Sequence, residues 1–176
     1  VHNVLERIDL HNTGDVDALV DICSSGLRSK ATDEMRARAE EMLGSFLNSP
    51  LAEELRTAQR EYRELEFLLH CPCTADEGPL RYIAGFIDCV FQSAEGTWHV
   101  IDYKTGRLSQ HGSEAEQLAV YELQMGTYAL AIRQLLGRLP DSVELVLVAE
   151  GCRRLALPVT EAFLQDVESR LAAAIK

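Results

Sequence analysis

The sequence predicts an α/β fold, a mixed β-sheet flanked by helices and preceded by an N-terminal helical lobe, and three features of the chain predict it. Residues 1–60 carry apolar residues at helical spacing. Residues 62–105 alternate at strand spacing between short polar turns, and a long helical stretch after residue 113 leads to a further apolar strand and a last helix. Helices, a strand group, a helix, more strand and a helix again are the element order of a sheet sandwiched between helical layers.

Taken in order, Val1, Val4, Leu5 and Ile8 share one face of a helix expected over residues 1–11, with His2, Glu6 and Asp9 on another. Asn12-Thr13-Gly14 interrupts, Val16 to Cys23 makes a short helix, and Ser24-Ser25-Gly26 breaks it. Thr32 offers an N-cap, and Asp33 and Glu34 early acids, to a helix reaching about Asn48, which Ser49-Pro50 stops. Leu51 to about Gln59 is one more helix.

Tyr62 to His70 turns to strand character and ends near Cys71-Pro72-Cys73, and Asp76-Glu77-Gly78-Pro79 reads as a turn. Gly85 to Phe91 and Trp98 to Thr105 are strands, joined as a hairpin by Gln92 to Gly96, a short polar loop closed by glycine. After a polar loop to Ser113, one continuous helix is expected from Glu114 to about Leu136, ended by Gly137 and Pro140. Ser142 to Val148 is an apolar strand with which Cys152 to Leu157 pairs, and Thr160 caps a last helix whose apolar face is Leu164, Val167, Leu171 and Ile175. The chain shows no internal repeat.

At 176 residues, 47% hydrophobic and 26% charged, the chain fits one domain with a real core. No run approaches the roughly 18 apolar residues that span a bilayer. Five scattered cysteines give no secreted disulfide framework, and a reducing, cytoplasmic setting is the simpler expectation. A helix that starts at once, with no initiator methionine, reads as a piece of something longer. The formal net charge of −11 weighs against autonomous nucleic-acid binding, since phosphate binding usually leaves a basic footprint. Any such grip would come from partner domains or from local patches such as Arg56, Arg60 and Arg63.

Chemistry concentrates in the central hairpin. Alternation puts Asp102 and Lys104 on one face and Ile101 and Tyr103 on the other, and the neighbouring strand delivers Asp88. Two acids and a lysine at one sheet edge can hold a divalent cation such as Mg²⁺ or Mn²⁺ against a phosphodiester. A surface hairpin with a salt bridge has the same spacing, and the residues alone leave both readings open. On the following helix Gln117, Tyr121, Gln124 and Tyr128 form a polar-aromatic stripe at i, i+4, i+7 and i+11. His70, Cys71 and Cys73 resemble half a zinc site without a second ligand pair.

Together these residues resemble the PD-(D/E)XK nuclease superfamily, and most closely its RecB/AddA-type nuclease domain, found at the end of recombination helicase-nucleases. His2 is similar to the family's first-helix histidine, and Glu64-Leu65-Glu66-Phe67 to its first-strand segment, although Glu66 stands where a proline is usual. Asp88 in Gly-Phe-Ile-Asp, and Asp102 and Lys104 in Asp-Tyr-Lys-Thr, resemble its catalytic set. Tyr121, Gln124 and Tyr128 resemble its Tyr-x-x-Gln-x-x-x-Tyr helix.

The resemblance implies a restriction-endonuclease-like fold and a single nuclease domain with a helical lobe (1–60) and a nuclease core (61–176), excised from a larger helicase-nuclease. It implies that His2, Asp88, Asp102 and the Tyr103 carbonyl bind Mg²⁺ or Mn²⁺, and that Lys104 positions water and stabilises charge. Gln124 and Tyr128 would help hold the site or the strand. The implied activity is DNA hydrolysis to 5′-phosphate products in double-strand-break repair, on single strands fed by a helicase, with an AddB/RecC-like protein as partner. Some relatives hold an iron–sulfur cluster through one cysteine before the site and three after it; only Cys152 follows the helix here, so none is expected. The competing expectation is an inactive nuclease-fold module that docks DNA ends or a helicase, to which the acidic total lends weight.

Overall fold

A computed structural model describes residues 1–11, 18–21, 32–71, 81–106 and 113–174. Cys73, the turn expected at 76–79, Ile175 and most of the loop before Ser113 lie outside the described residues, and of the helix expected at 16–23 only residues 18–21 are described, as helix. The first helix, α1, is shorter than its apolar spacing predicts and covers only His2–Leu5, after which the chain turns. Val4, Leu5, Ile8 and Leu10 are nevertheless all buried.

Helix α2 spans Asp33–Leu47, with the Thr32 side chain accepting from the Met35 amide. Helix α3 spans Pro50–Arg56; Ser49 caps it and Pro50 opens it, where a missing N–H costs nothing. The start of α2 follows the cap read from the sequence, whereas Ser49 and Pro50, read as the stop of that helix, also begin the next one.

Among the described residues five strands follow: β1 Arg60–Cys71, β2 Arg81–Gln92, β3 Trp98–Lys104, β4 Ser142–Leu147 and β5 Arg153–Leu157. They lie in sequence order in one sheet. All neighbours are antiparallel except β3 and β4, which pair in parallel. Parallel pairing needs a crossover, and helices α4 (Glu114–Ala119) and α5 (Glu122–Leu136) supply it.

The expected continuous helix 114–136 is therefore two helices. They part at Val120 and Tyr121, where the Tyr121 amide bonds Leu118 O three residues back instead of four. That tightened turn redirects the chain without proline or glycine. Helix α5 ends on Gly137 in a left-handed conformation at φ 69°, which glycine adopts without strain. A last helix, α6, covers Glu161–Ala174.

The sheet has a core on each face. Val90, Val100, Leu145 and Leu155 pack with Met125 and Ile132 of α5 and Leu164 and Val167 of α6. Cys89, Phe91, Ile101, Tyr103 and Val146 pack with Leu5, Leu43, Phe46 and Leu55 of the N-terminal helices. Gly126 allows α5 to approach α6, since a Cβ there would collide with the Val167 side chain.

Candidate active site

Strand β3 supplies the acid and the lysine. Ile101 and Tyr103 sink into the core under the N-terminal helices, so alternation turns Asp102 and Lys104 toward α5. Asp102 is 1% exposed, and Lys104 Nζ lies 2.6 Å from its Oδ2. The ammonium nevertheless sits off the hydrogen-bonding direction: among the described residues the buried Oδ2 has no hydrogen-bond partner. Burial raises the Asp102 pKa; the lysine works against that shift and the Asp88 charge adds to it.

The Lys104 ammonium is held from the other side by α5. It donates, at 3.4 Å, to Gln124 Oε1 and stands 4.9 Å from the centre of the Tyr121 ring. Gln124 Nε2 in turn donates to the Tyr128 hydroxyl at 2.9 Å. Because a lysine can only donate, Gln124 must turn its oxygen to Lys104 and its nitrogen to Tyr128. Burial, then the charges of Asp102 and Asp88, push the Tyr128 phenol well above its ordinary pKa, so it keeps its proton. The edge of Phe67 packs on the Tyr128 ring at 5.9 Å, over Gly85, where a Cβ would come within 2.9 Å of Phe67.

Asp88 lies where β2 and β3 part. Their last paired residues toward the site are Cys89 and Ile101, and beyond them Asp88 Oδ2 accepts from the Tyr103 amide at 2.7 Å. The same oxygen lies 3.1 Å from His2 Nε2, while His2 Nδ1 lies 2.8 Å from Glu6. The Asp88 hydrogen bond raises the His2 pKa most and Glu6 adds to it, against burial, to about 9. Ligand atoms of His2, Glu6 and Glu64 all fall within 4.8 Å of one another.

Opposite Asp88 the β1–β2 ladder has a gap: Arg63 pairs Cys89 and Leu65 pairs Ile87, with Glu64 between them at φ 49°. The side-chain phase slips there. Ile87 belongs to the core beneath α5, whereas Cys89, two residues on, belongs to the core under the N-terminal helices. Burial, then repulsion from Glu6 and Asp88, raises the Glu64 pKa.

The structure thus brings His2 to Asp88, Asp88 to the Tyr103 backbone, Lys104 to Asp102, and Gln124 and Tyr128 to Lys104. Gln117 is separated from that stripe by the break at Val120 and Tyr121. Of the expected basic patch, Arg56 and Arg63 are spent internally, while Arg60 stands exposed at the start of β1. Arg56 donates to Leu10 O, Leu47 O and Glu53, and Arg63 to Leu5 O, Ile8 O and Glu61, so Arg56 ties the N-terminal segment to α2 and α3 and Arg63 ties it to β1. Glu6 was not among the predicted site residues, although its position four after His2 on a helix is the signal that places it there.

These donors fit a hard divalent cation in kind: carboxylate oxygens dominate, and Asp102 Oδ2 is a buried anionic atom whose ion pair with Lys104 leaves it without a hydrogen bond among the described residues. The imidazole of His2 would have to release its proton to ligate.

A mixed sheet that presents an Asp-x-Lys strand beside a second acid, under a Gln/Tyr helix, is a nuclease type of scaffold. The profile of the PD-(D/E)XK nuclease superfamily matches residues 1–174, and the chain belongs to that family. It is similar to the AddA chain of the ATP-dependent helicase/nuclease of Heliobacterium modesticaldum (34% identity, 61% of this chain, 8% of that one). The corresponding chain of Alkaliphilus oremlandii is 29% identical over 78% of this chain and 12% of that one, and that of Anoxybacillus flavithermus 30% over 75% and 11%. The chain therefore spans about a tenth of these relatives. A Eubacterium rectale structure provisionally described as an exonuclease shares the fold, with TM-score 0.52 and 13% identity over 99% of this chain and 69% of that one.

Proposed function

We propose that this chain is the nuclease domain of a RecB/AddA-type helicase-nuclease, a Mg²⁺- or Mn²⁺-dependent exonuclease acting on single-stranded DNA in double-strand-break repair and recombination. The observation that carries the reading is the buried Asp102, paired with a Lys104 that α5 holds through Gln124, with Tyr128 behind it. A structural salt bridge has no need of a second scaffold for its lysine.

In this reading His2, Asp88, Asp102 and the Tyr103 carbonyl hold the cation, with Glu6 and Glu64 beside them. When bound, the cation acts as a Lewis acid on the scissile phosphodiester and makes water a better nucleophile. Lys104 sets a positive charge where negative charge grows on the phosphate, and orients the attacking water. Gln124 fixes the reach of that ammonium, and Tyr128 fixes Gln124. Asp88, bonded to the Tyr103 amide, keeps the parted strands in register at the site. The products are 5′-phosphates.

The net charge of −11 leaves the grip on DNA to the rest of a longer protein, whose helicase portion feeds the strand, with an AddB/RecC-like protein as partner, in the cytoplasm. No described helix is long and apolar enough to cross a membrane. The test is cleavage of single-stranded DNA with Mg²⁺ or Mn²⁺ by the wild type, Asp102→Ala and Lys104→Ala. Loss in both variants supports the reading. Equal residual activity in all three overturns it in favour of an inactive docking module.

A further inference from the structure

We propose that Glu6 is a positioning residue that fixes His2 as a ligand: its carboxylate holds the Nδ1 proton, so that Nε2 is the ring nitrogen turned to the cation beside Asp88. This rests on the nuclease reading above and gives a role in that site to a residue which the reading leaves next to the ligands.

An imidazole that ligates through one nitrogen carries its proton on the other, and the acceptor of that proton sets both the tautomer and the angle of the ring. His2 is divided in this way. Its Nε2 lies 3.1 Å from Asp88 Oδ2, and its Nδ1 lies 2.8 Å from Glu6 Oε1. The side chains of Asp88 and Glu6 are only 13% and 17% exposed, so water competes little for either nitrogen. Asp88 is bonded to the Tyr103 backbone, whose carbonyl belongs to the same ligand set, so the ligands gather on the Nε2 side of the ring. Glu6 stands on the other side.

The fold holds Glu6 in that place. It caps α1 four residues after His2, which stacks the two side chains, and its amide donates to His2 O at 3.1 Å. Val4 and Leu5 just before it are buried, and Arg63 donates to Leu5 O and Ile8 O on either side of it. Arg63 pairs with Cys89, the neighbour of Asp88, so the turn that carries Glu6 is fixed to the strands that carry the acid. Holding the Nδ1 proton takes an acceptor and not a charge, whereas ligating the cation directly takes the carboxylate. Glutamine separates the two.

The test reads Mn²⁺ affinity of the full chain by EPR titration, with DNA cleavage followed separately. Glu6→Ala is expected to weaken Mn²⁺ binding about 10- to 100-fold, and Glu6→Gln, whose amide oxygen still accepts from Nδ1–H, to keep most of the affinity. In a His2→Ala background Glu6→Ala should cost nothing further, since Glu6 acts through the ring. Long-range proton–nitrogen NMR of His2 in saturating Mg²⁺ reads the tautomer, which a merely structural role does not set; wild type and Glu6→Gln carry the proton on Nδ1. Thermal melts without metal show that the variants are folded, and Glu6→Gln, equal in size to the wild type, keeps the NMR arm open if Glu6→Ala is not. Wild-type affinity in Glu6→Ala, an equal loss in Glu6→Gln and Glu6→Ala, a further loss on top of His2→Ala, or a His2 proton on Nε2 each overturns the positioning role, and a chain that still binds Mn²⁺ and cuts DNA leaves the nuclease reading standing. A wild type that neither binds Mn²⁺ nor cuts DNA overturns both.

Discussion

Glu64 faces Asp88 across β1 and β2 at the one position in that register where the ladder pairs no residues, and Glu64 is held there at φ 49°. A side chain other than glycine or asparagine is strained in that region by about 1 kcal/mol or more. The strain coincides with crowding of like charge, since Glu6 and Asp88 both raise the Glu64 pKa after burial. Function and stability are therefore expected to pull apart at this residue. Glu64→Asn, which tolerates the conformation and removes a charge, should raise the melting temperature by roughly 2–4 °C. It should also require more Mn²⁺ for half-maximal cleavage. A variant that melts lower, or keeps the wild-type Mn²⁺ requirement, would show that Glu64 is an ordinary strand residue.

Asp102 carries the next expectation, because its buried Oδ2 lacks a hydrogen bond and burial disfavours its charge. A cation that neutralises it binds only the folded chain, so it stabilises by mass action, by about 2.7 kcal/mol at a hundredfold excess over its Kd. For a chain of this size that is a rise of roughly 5–10 °C on adding Mn²⁺, reversed by chelation. Asp102→Asn should abolish the rise and lower cleavage by about 100-fold or more, while melting no lower than wild type without metal. Differential scanning fluorimetry with and without Mn²⁺ reads the thermal half and a cleavage assay the other; an equal rise in wild type and variant would sink the assignment.

In the proposed reaction Tyr128 would act only through Gln124, from which its hydroxyl accepts a hydrogen bond at 2.9 Å. Tyr128→Phe keeps the ring packed against Phe67 and removes only that acceptor. The expected loss is about 3- to 10-fold in kcat, the worth of one neutral hydrogen bond, with KM unchanged. A matching rise in KM instead would place Tyr128 on the strand itself.

What was legible in the chain was what depends on local spacing. Asp102 and Lys104 share a face because they are two apart in a strand, and Gln124 and Tyr128 share one because they are four apart in a helix. Caps at Thr32 and Thr160 marked helix starts for the same reason. The slip of phase at Glu64 and Asp88 was not legible, since it is a backbone distortion shared by two strands and stabilised by what lies around it. Nor was the break at Val120 and Tyr121, which has neither proline nor glycine to announce it. Arg56 and Arg63 read as a basic patch because the carbonyls of Leu5, Ile8, Leu10 and Leu47 that they satisfy come together only in the folded chain.

The pH dependence of stability is expected to run through Glu144, whose side chain lies on the sheet face opposite Asp102. Burial alone would raise its pKa, but hydrogen bonds from Arg154 and Ser142 outweigh that and leave it lowered from 4.5. Arg154 Nε lies 2.5 Å from Glu144 Oε2, its Nη1 reaches Glu54 at 2.6 Å, and the Ser142 hydroxyl donates to Oε1 at 2.7 Å. A carboxyl depressed in the folded state contributes its full stability above the unfolded value near 4.5 and loses it as pH falls below that, through the folded pKa. Glu144→Gln removes the charge at every pH and should cost about 2 kcal/mol at pH 7, where a charged hydrogen bond is lost. Below the unfolded value near 4.5 the wild type progressively loses that contribution, so the two proteins should melt closer together at pH 3 than at pH 7. Melting curves of both across pH 3–7 test this, and a gap that stays constant over the range would assign the acid sensitivity to other carboxylates.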